Sequence, residues 1–338
     1  MTFAPHARVA SNLHRRYLEP VLDSWGVSHP PELVSACGAR HALRHLFLEQ
    51  NLPLPMTAMT QHDLAAQFRA MHSSSADALL VLPNAWDAMS ARLVEAAGAR
   101  AIATTSAGIS WALGFPDGQG LTRDAMAAAV RGIVQSVRIP VSADVESGYG
   151  SGTPDDAAET VRAMVAAGAI GINLEDSPGR DGAVLLDIDV QAARLSAAKA
   201  AAKATGVDVF VNARIDTYVK KFGPESARFD ETVRRARAYV AAGADGVFIP
   251  LVVDPDVMRQ LSAAVGAPLN VLAGPGSPPI TELRALGVSR VSVGPGLVRS
   301  VMAHIRRAAT EILGTGSYDA LKEQIPSPEA NALFAARS

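Results

Sequence analysis

Short apolar runs alternate with longer amphipathic stretches from about residue 60 onward. The runs are Leu79–Leu82, Ala101–Thr105, Pro140–Asp144, Ile170–Leu174, Val207–Val211, Gly246–Ile249, Leu269–Leu272 and Val291–Val293. Their length and their content of Val, Ile and Leu predict buried strands, and the Ala-rich stretches between them predict helices. The phrase Ala-Ala-Gly-Ala recurs at 96–99, 166–169 and 241–244, each time just before a run. A glycine there supplies the left-handed residue that ends a helix, so the phrase marks a repeated helix-to-strand junction. Eight strands with helices between them predict a (β/α)₈ TIM barrel spanning 59–313. A doubly wound open sheet is the other arrangement with this rhythm. The barrel is preferred because no glycine-rich dinucleotide fingerprint follows the first run.

The flanks differ. Residues 1–58 carry five of the chain's eight histidines and close on Asn51-Leu-Pro-Leu-Pro55. They read as an N-terminal helical extension with a Pro-rich linker. Residues 314–338 read as a further short helix and a tail.

Composition narrows the function classes. Of 338 residues, 49% are hydrophobic and 19% charged, with a net charge of −2 and no basic block. This fits a globular enzyme and argues against nucleic-acid binding. No apolar run approaches the length of a membrane span. Cys37 is the only cysteine, which excludes an intrachain disulfide and fits a cytoplasmic location.

A barrel displays its chemistry at the C-terminal ends of its strands. Those ends are polar here: Asn84 and Asp87 after the first run, Thr104-Thr-Ser-Ala107 and Asp117 after the second, Asp144 and Glu146 after the third. Asn173 and Glu175 close the fourth, Asn212 and Arg214 the fifth; Asn270 lies on the seventh and Gly294 follows the eighth. Asp144 and Glu146 stand two apart, so in a strand they would share a face. Two solvated acids at a strand exit are the bland reading. The recurrence of acids on neighbouring exits favours a hard cation, Mg²⁺ with Mn²⁺ as the alternative. Asp144 would bind it directly, with Glu146, Glu175 and Asp117 acting mainly through metal-bound water. Arg214 would grip a substrate carboxylate, and the backbone of Thr104, Thr105, Ser106 and Ala107 would face the other end of an oxyanion. Trp86 is read as shaping the mouth. Such a site would chelate a 2-oxo acid and stabilise an enolate.

These segments resemble the isocitrate lyase/phosphoenolpyruvate mutase superfamily. The matching stretches are Leu82–Arg92, Thr104–Gly108 with Leu113–Asp117, Ser142–Gly150, Gly171–Ser177, Asn212–Arg214, Leu269–Leu272 and Val291–Gly296. The resemblance implies a Mg²⁺-dependent barrel enzyme that makes or breaks a C–C or P–C bond beside a 2-oxo acid. It also implies a homotetramer whose last barrel helix is exchanged between subunits. By family role Asp144 is the metal ligand, Asp117, Glu146 and Glu175 are its companions, and Arg214, Asn212, Asn270 and Gly294 lie on the substrate side. Two departures stand out. The lyases carry a cysteine in a Lys- and His-containing lid, where this chain reads Ser177-Pro-Gly-Arg-Asp-Gly-Ala-Val-Leu-Leu-Asp187. They also carry a glutamate after strand six, where this chain reads Ile249-Pro-Leu-Val252. The expected activity is a C–C lyase or decarboxylase acting on a small 2-oxo or 2-hydroxy dicarboxylic acid. P–C bond chemistry and non-catalytic binding of a 2-oxo acid are the alternatives.

Overall fold

The computed structural model describes residues 59–72, 79–178 and 185–335. The predicted arm at 1–58 and residues 179–184 of the lid segment lie outside the described residues. The apolar runs become parallel strands: β1 Leu80–Leu82, β2 Asn84–Ala85, β3 Ile102–Thr104, β4 Val141–Asp144, β5 Gly171–Glu175, β6 Phe210–Arg214, β7 Gly246–Ile249, β8 Leu269–Leu272 and β9 Arg290–Ser292. They form one sheet in the order β1-β9-β8-β7-β6-β5-β4-β3-β2.

β1 falls within the first predicted run, and β2 continues the same strand past Pro83, beyond the predicted end at Leu82. Pro83 divides them because it has no N–H to donate. β1 pairs with β9 through Leu80 and Arg290, while β2 pairs with β3 through Ala85 and Thr104. Consecutive halves of one strand thus hold the two ends of the sheet, and the sheet curls into a barrel. Asn84 fastens this seam. Its Oδ1 accepts from the N–H groups of Val293 and Gly294 at 2.9 and 2.8 Å, and its Nδ2 donates to Thr104 O at 2.8 Å.

The fifth predicted run is displaced by three residues. Val209 N–H donates to Val207 O at 2.9 Å, so the start of the run is a tight turn. The strand begins at Phe210, opposite Gly171, and places Arg214 opposite Glu175. Neighbouring strands set register, and hydrophobicity alone does not.

The helices pack outside. In chain order they are α1 Gln61–Ala70, α2 Ala88–Ala96, α3 Ser106–Ala112, α4 Arg123–Ser136, α5 Pro154–Ala166, α6 Ile188–Ala204, α7 Glu225–Ala241, α8 Pro255–Ala264, α9 Ile280–Ala285, α10 Gly296–Gly314 and α11 Ser327–Ala335. Thr122 caps α4, and Met126, Val130 and Ile133 form its buried stripe at helical spacing. Each such side chain contributes roughly 1.5–3 kcal/mol by leaving water. α10 differs: it buries only Val298 and Ala308, and leaves Val301, Ile305 and Leu313 exposed. Among the described residues no helix is long and apolar enough to cross a membrane.

Alternate residues on each strand fill the barrel in layers. At the N-terminal end, α1 inserts Phe68 edge-on against Phe210 at 5.8 Å, and His72 stacks on Phe210 at 3.9 Å. Gly171 makes room, since a Cβ there would stand 3.2 Å from the Phe68 ring. The middle layer is polar. Asn212 Nδ2 donates to Asn173 Oδ1 at 2.8 Å and to Asn270 Oδ1 at 3.2 Å, and Arg290 reaches Asn173 Oδ1 at 3.3 Å. The C-terminal layer carries Asp144, Glu175 and Arg214.

Candidate functional site

Asp144 ends β4 and is held from two sides. Ser106 donates to Asp144 Oδ2 twice, from its N–H at 3.0 Å and its hydroxyl at 2.7 Å. Asp144 N–H donates to Thr104 Oγ1 at 2.9 Å. The Thr104–Ala107 turn therefore spends much of its donor capacity on protein: Thr105 N–H goes to Ala85 O at 3.0 Å, and Ser106 N–H goes to the carboxylate. Ala107 N–H, in the first turn of α3, has no acceptor among the described residues.

Glu146 lies past the end of β4, with φ 50°. Strand alternation therefore does not bring it to Asp144; a left-handed turn does. Glu146 O accepts from Glu175 N–H at 3.0 Å, so the turn stays attached to β5. Glu146 Oε2 accepts from Gln119 N–H, and Gln119 Nε2 donates to Ser147 Oγ. Arg194, fully buried on α6, donates to Ser147 O and fixes the same turn from behind. Tyr149 is buried beside Glu146 at φ 57°. Burial, then the carboxylates of Glu146 and Asp144, push its hydroxyl well above the usual range, so it stays protonated at neutral pH.

The electrostatics mark these acids as one group. Burial, and next the charge of Asp144, push Glu146 up to about 7. The same two causes, in the same order, raise Asp117. Burial raises Glu175, and the carboxylates of Asp216, Asp144 and Glu146 add to this against the opposing pull of Arg214. Charge thus accumulates beyond what the pocket can balance alone. Glu146 Oε1 is buried with no partner. An all-oxygen set with an unpartnered buried carboxylate oxygen fits a hard cation. Among the described residues no three His, Cys, Asp or Glu side chains come close enough to enclose a metal by themselves. A cation here would keep waters, with Asp144 the direct ligand and Asp117, Glu146 and Glu175 reaching it through them.

Arg214 faces this cluster from β6. Its Nη1 pairs with Glu175 Oε2 at 2.8 Å, and Nε and Nη2 bind both oxygens of Asp216 at 2.7 and 3.1 Å. Burial would depress the guanidinium, but Glu175, Asp216 and Asp144 outweigh it and hold Arg214 firmly protonated. Asp216 is itself anchored. Its N–H donates to Asp176 Oδ1 at 2.9 Å, and Ser177 Oγ donates to Asp216 Oδ2 at 2.7 Å. Asp176 in turn accepts from Arg235 and Tyr239, each at 3.0 Å. Burial lifts Asp176 to about 6, against the Asp216 N–H and Arg235.

The other expected residues fall in different places. Asn212 and Asn270 lie in the fully buried middle layer, below Arg214, where they pair with one another. Gly294 is tied to Asn84 at the seam. Trp86 is buried, with its backbone N–H donating to Ser90 Oγ at 3.0 Å and its Cβ against Gly108. Sequence reasoning overlooked Gln119, Arg194 and Arg235. Gln119 carries one signal, its place in the glycine-flanked turn two residues past Asp117; the two arginines carry none, because their partners are distant in the chain.

The non-glycine residues with left-handed backbone among those described are Gln119, Glu146, Tyr149, Lys221 and Leu251. Glu146, Tyr149, Lys221 and Leu251 lie in loops that leave the C-terminal ends of strands, and Gln119 lies in the α3–α4 connection, where it reaches Glu146. Such positions cost about 1–3 kcal/mol each and collect at functional sites.

The comparisons with known proteins agree with this geometry. The family model for phosphoenolpyruvate phosphomutase matches residues 68–313. An uncharacterised protein of Mycobacterium tuberculosis is 42% identical over 236 residues, which cover 68% of this chain and 84% of that one. The 2,3-dimethylmalate lyase of Eubacterium barkeri is 32% identical over 232 residues, 66% of this chain and 77% of that one. A phosphonopyruvate hydrolase solved with oxalate and Mg²⁺ superposes with TM-score 0.70 at 26% identity, covering 81% of this chain and 95% of that one. With a family model that matches most of its barrel and relatives that share its fold, this chain is a member of the phosphoenolpyruvate mutase/isocitrate lyase family.

Proposed function

We propose that the protein is a Mg²⁺-dependent lyase or decarboxylase that cleaves a C–C bond in a small 2-oxo or 2-hydroxy dicarboxylic acid by way of an enolate. The observation that carries this reading is the convergence of Asp117, Asp144, Glu146 and Glu175 opposite one anchored guanidinium. Mg²⁺ bound there would supply Lewis-acid stabilisation of the negative charge that collects on the substrate's 2-oxygen.

The protein's own groups do the rest. Arg214 takes one substrate carboxylate through its remaining N–H groups. Asp216 fixes the guanidinium plane, so little freedom is lost when the carboxylate docks. Ser106 and Thr104 hold Asp144 in one rotamer. Glu175, which pairs with Arg214 in the ligand-free site, yields that place to the substrate carboxylate and turns toward the acids. Ala107 N–H offers a donor to the carboxylate at the far end.

Proton NMR with Mg²⁺ tests this on oxaloacetate, malate, 2-methylisocitrate, isocitrate and 4-hydroxy-2-oxo acids. Metal-dependent loss of at least one substrate is the expected result. Phosphonopyruvate belongs in the same panel, because a phosphonopyruvate hydrolase shares the fold; turnover of it alone would favour P–C chemistry. Oxalate binding without turnover of any compound would favour a binding protein, a reading supported by the lid segment's lack of Cys, Lys and His.

The partner we propose is a second copy of the chain, in a tetramer that exchanges α10. The exposed apolar face of α10 supports it, as does a groove of about 690 Å³ lined by Leu79, Met89, Leu93, Leu297 and Val301. Light scattering should give four chains per particle, and Ile305→Asp should reduce that number.

A further inference from the structure

Leu251 is the strained mouth residue that the mechanism above does not use. It follows β7 at φ 64° and is 53% exposed. A leucine in the left-handed region is unfavourable, and glycine or asparagine would fit there without strain. The loop is nonetheless firmly seated, because Val252 beside it is 2% exposed. With Val252 turned in, Leu251 and Val253 turn out, and Val253 is 61% exposed. Two apolar side chains thus stand in water on an anchored, strained turn at the mouth.

The order of strands says what they face. Asp144 ends β4, Glu175 ends β5, Arg214 ends β6, and β7 is next in the sheet. Phe248 of β7 pairs with Arg214 in register, and the guanidinium carbon lies 6.0 Å from its ring centre. A diacid stretched between the acids of β4 and β5 and the guanidinium of β6 directs any further substituent toward the exit of β7. From Phe248 to Val253 the chain carries no charge there, and the next acid, Asp254, is turned to cap α8.

We infer that the substrate carries a branched alkyl group, not a further carboxylate, on the carbon next to its oxygenated carbon, and that Leu251 is held in a strained turn to receive it. This rests on the proposed 2-oxo or 2-hydroxy diacid reading. It extends that reading by naming the third substituent and the residue that selects it.

Titration calorimetry in Mg²⁺ tests the inference with four ligands on the full chain. Oxalate reports the head-group site alone. Malate supplies the bare diacid. 3-Isopropylmalate and isocitrate add an isopropyl and a carboxymethyl group at the same carbon. In the wild type, 3-isopropylmalate should bind about tenfold tighter than malate, and isocitrate no tighter than malate. Leu251→Gly should bring the ratio of 3-isopropylmalate to malate affinity to about one, while the melting temperature holds or rises because the strain is relieved. Leu251→Arg should turn the preference toward isocitrate. Isocitrate binding tighter than 3-isopropylmalate in the wild type would overturn the inference. So would an unchanged ratio in Leu251→Gly, including one accompanied by dissociation of the oligomer, which would give Leu251 to a subunit contact. Oxalate that binds while the ratios fail overturns the alkyl pocket alone; no oxalate binding overturns the diacid reading together with it.

Discussion

The two ends of the barrel differ in which residues they admit to left-handed backbone: among the described residues one end uses glycine alone, the other glycine and residues with full side chains. At the N-terminal end, where helices turn into strands, the left-handed positions are glycines: Gly98, Gly168, Gly206, Gly243, Gly266 and Gly287. At the C-terminal mouth glycines such as Gly148, Gly150, Gly223 and Gly294 do the same, but Gln119, Glu146, Tyr149, Lys221 and Leu251 also take up this backbone region, with full side chains. Glycine ends a helix at almost no steric cost. A side chain in that region is strained, and it persists where the side chain itself is needed. Gln119 and Glu146 are needed to position the acids. The N-terminal end needs only closure, which Phe68, His72 and Phe210 supply as an aromatic plug.

The largest effect that separates the two ends should come from Asp144→Ala. Calorimetry should show Mg²⁺-dependent oxalate binding abolished, with the melting temperature close to wild type. Unchanged oxalate affinity would remove Asp144 as metal ligand and the mouth as a metal site.

Phe68→Ala should give the opposite outcome. Emptying the plug should cost roughly 3–5 kcal/mol in urea unfolding, while the folded fraction keeps its oxalate affinity. Weakened oxalate binding in that fraction would mean the two ends are coupled through the polar middle layer.

A smaller effect compares one left-handed position at each end. Gly168 has φ 98°, and a Cβ there would stand 2.7 Å from Val134 Cγ1. Gly168→Ala should therefore cost roughly 1–3 kcal/mol, whereas Tyr149→Gly should lose less stability than the burial of its ring suggests. Equal costs per buried atom would show that mouth strain is negligible.

The smallest effect is a pH slope. Burial, and next the charge of Arg290, push the His72 imidazole down to about 3. Between about pH 6.5 and that value the unfolded chain binds a proton that the folded one refuses. Stability contributed by neutral His72 is therefore full above about pH 6.5 and lost as pH falls, at most about 1.4 kcal/mol per unit. Glu146, raised to about 7 in the folded state, pulls the other way over neutral to mildly acidic pH. The difference between wild type and His72→Phe isolates the histidine: the variant should lose less stability on acidification. Parallel curves would mean that His72 takes up its proton within the fold.

Much of the barrel was legible because its signals are local. Runs of Val, Ile and Leu, and the repeated Ala-Ala-Gly-Ala, act over a few residues, and each apolar run overlaps a strand. The misplaced fifth strand shows the limit. Val207 and Val209 are as apolar as any strand residue, yet pairing with β5 starts the strand at Phe210. The split first strand was signalled by Pro83, but only closure of the sheet gives that break its purpose. The candidate acids were legible as polar residues that interrupt apolar runs. The partners that hold them were not. Arg235 lies 59 residues from Asp176 and Gln119 lies 27 from Glu146, and no local pattern links residues so far apart.

Sequence by itself determined the alternation of strand and helix, the polar character of one set of strand ends, and the identity of Asp144 and Arg214 as the residues to watch. Those follow from period, composition and short motifs, which act through neighbouring residues. Tertiary structure alone decided that Glu146 meets Asp144 through a left-handed turn, that Asp216 and Glu175 share the guanidinium of Arg214, and that Leu251 stands strained in the loop after β7. Those depend on which strands lie side by side, a choice made by burial and backbone pairing over the whole barrel at once.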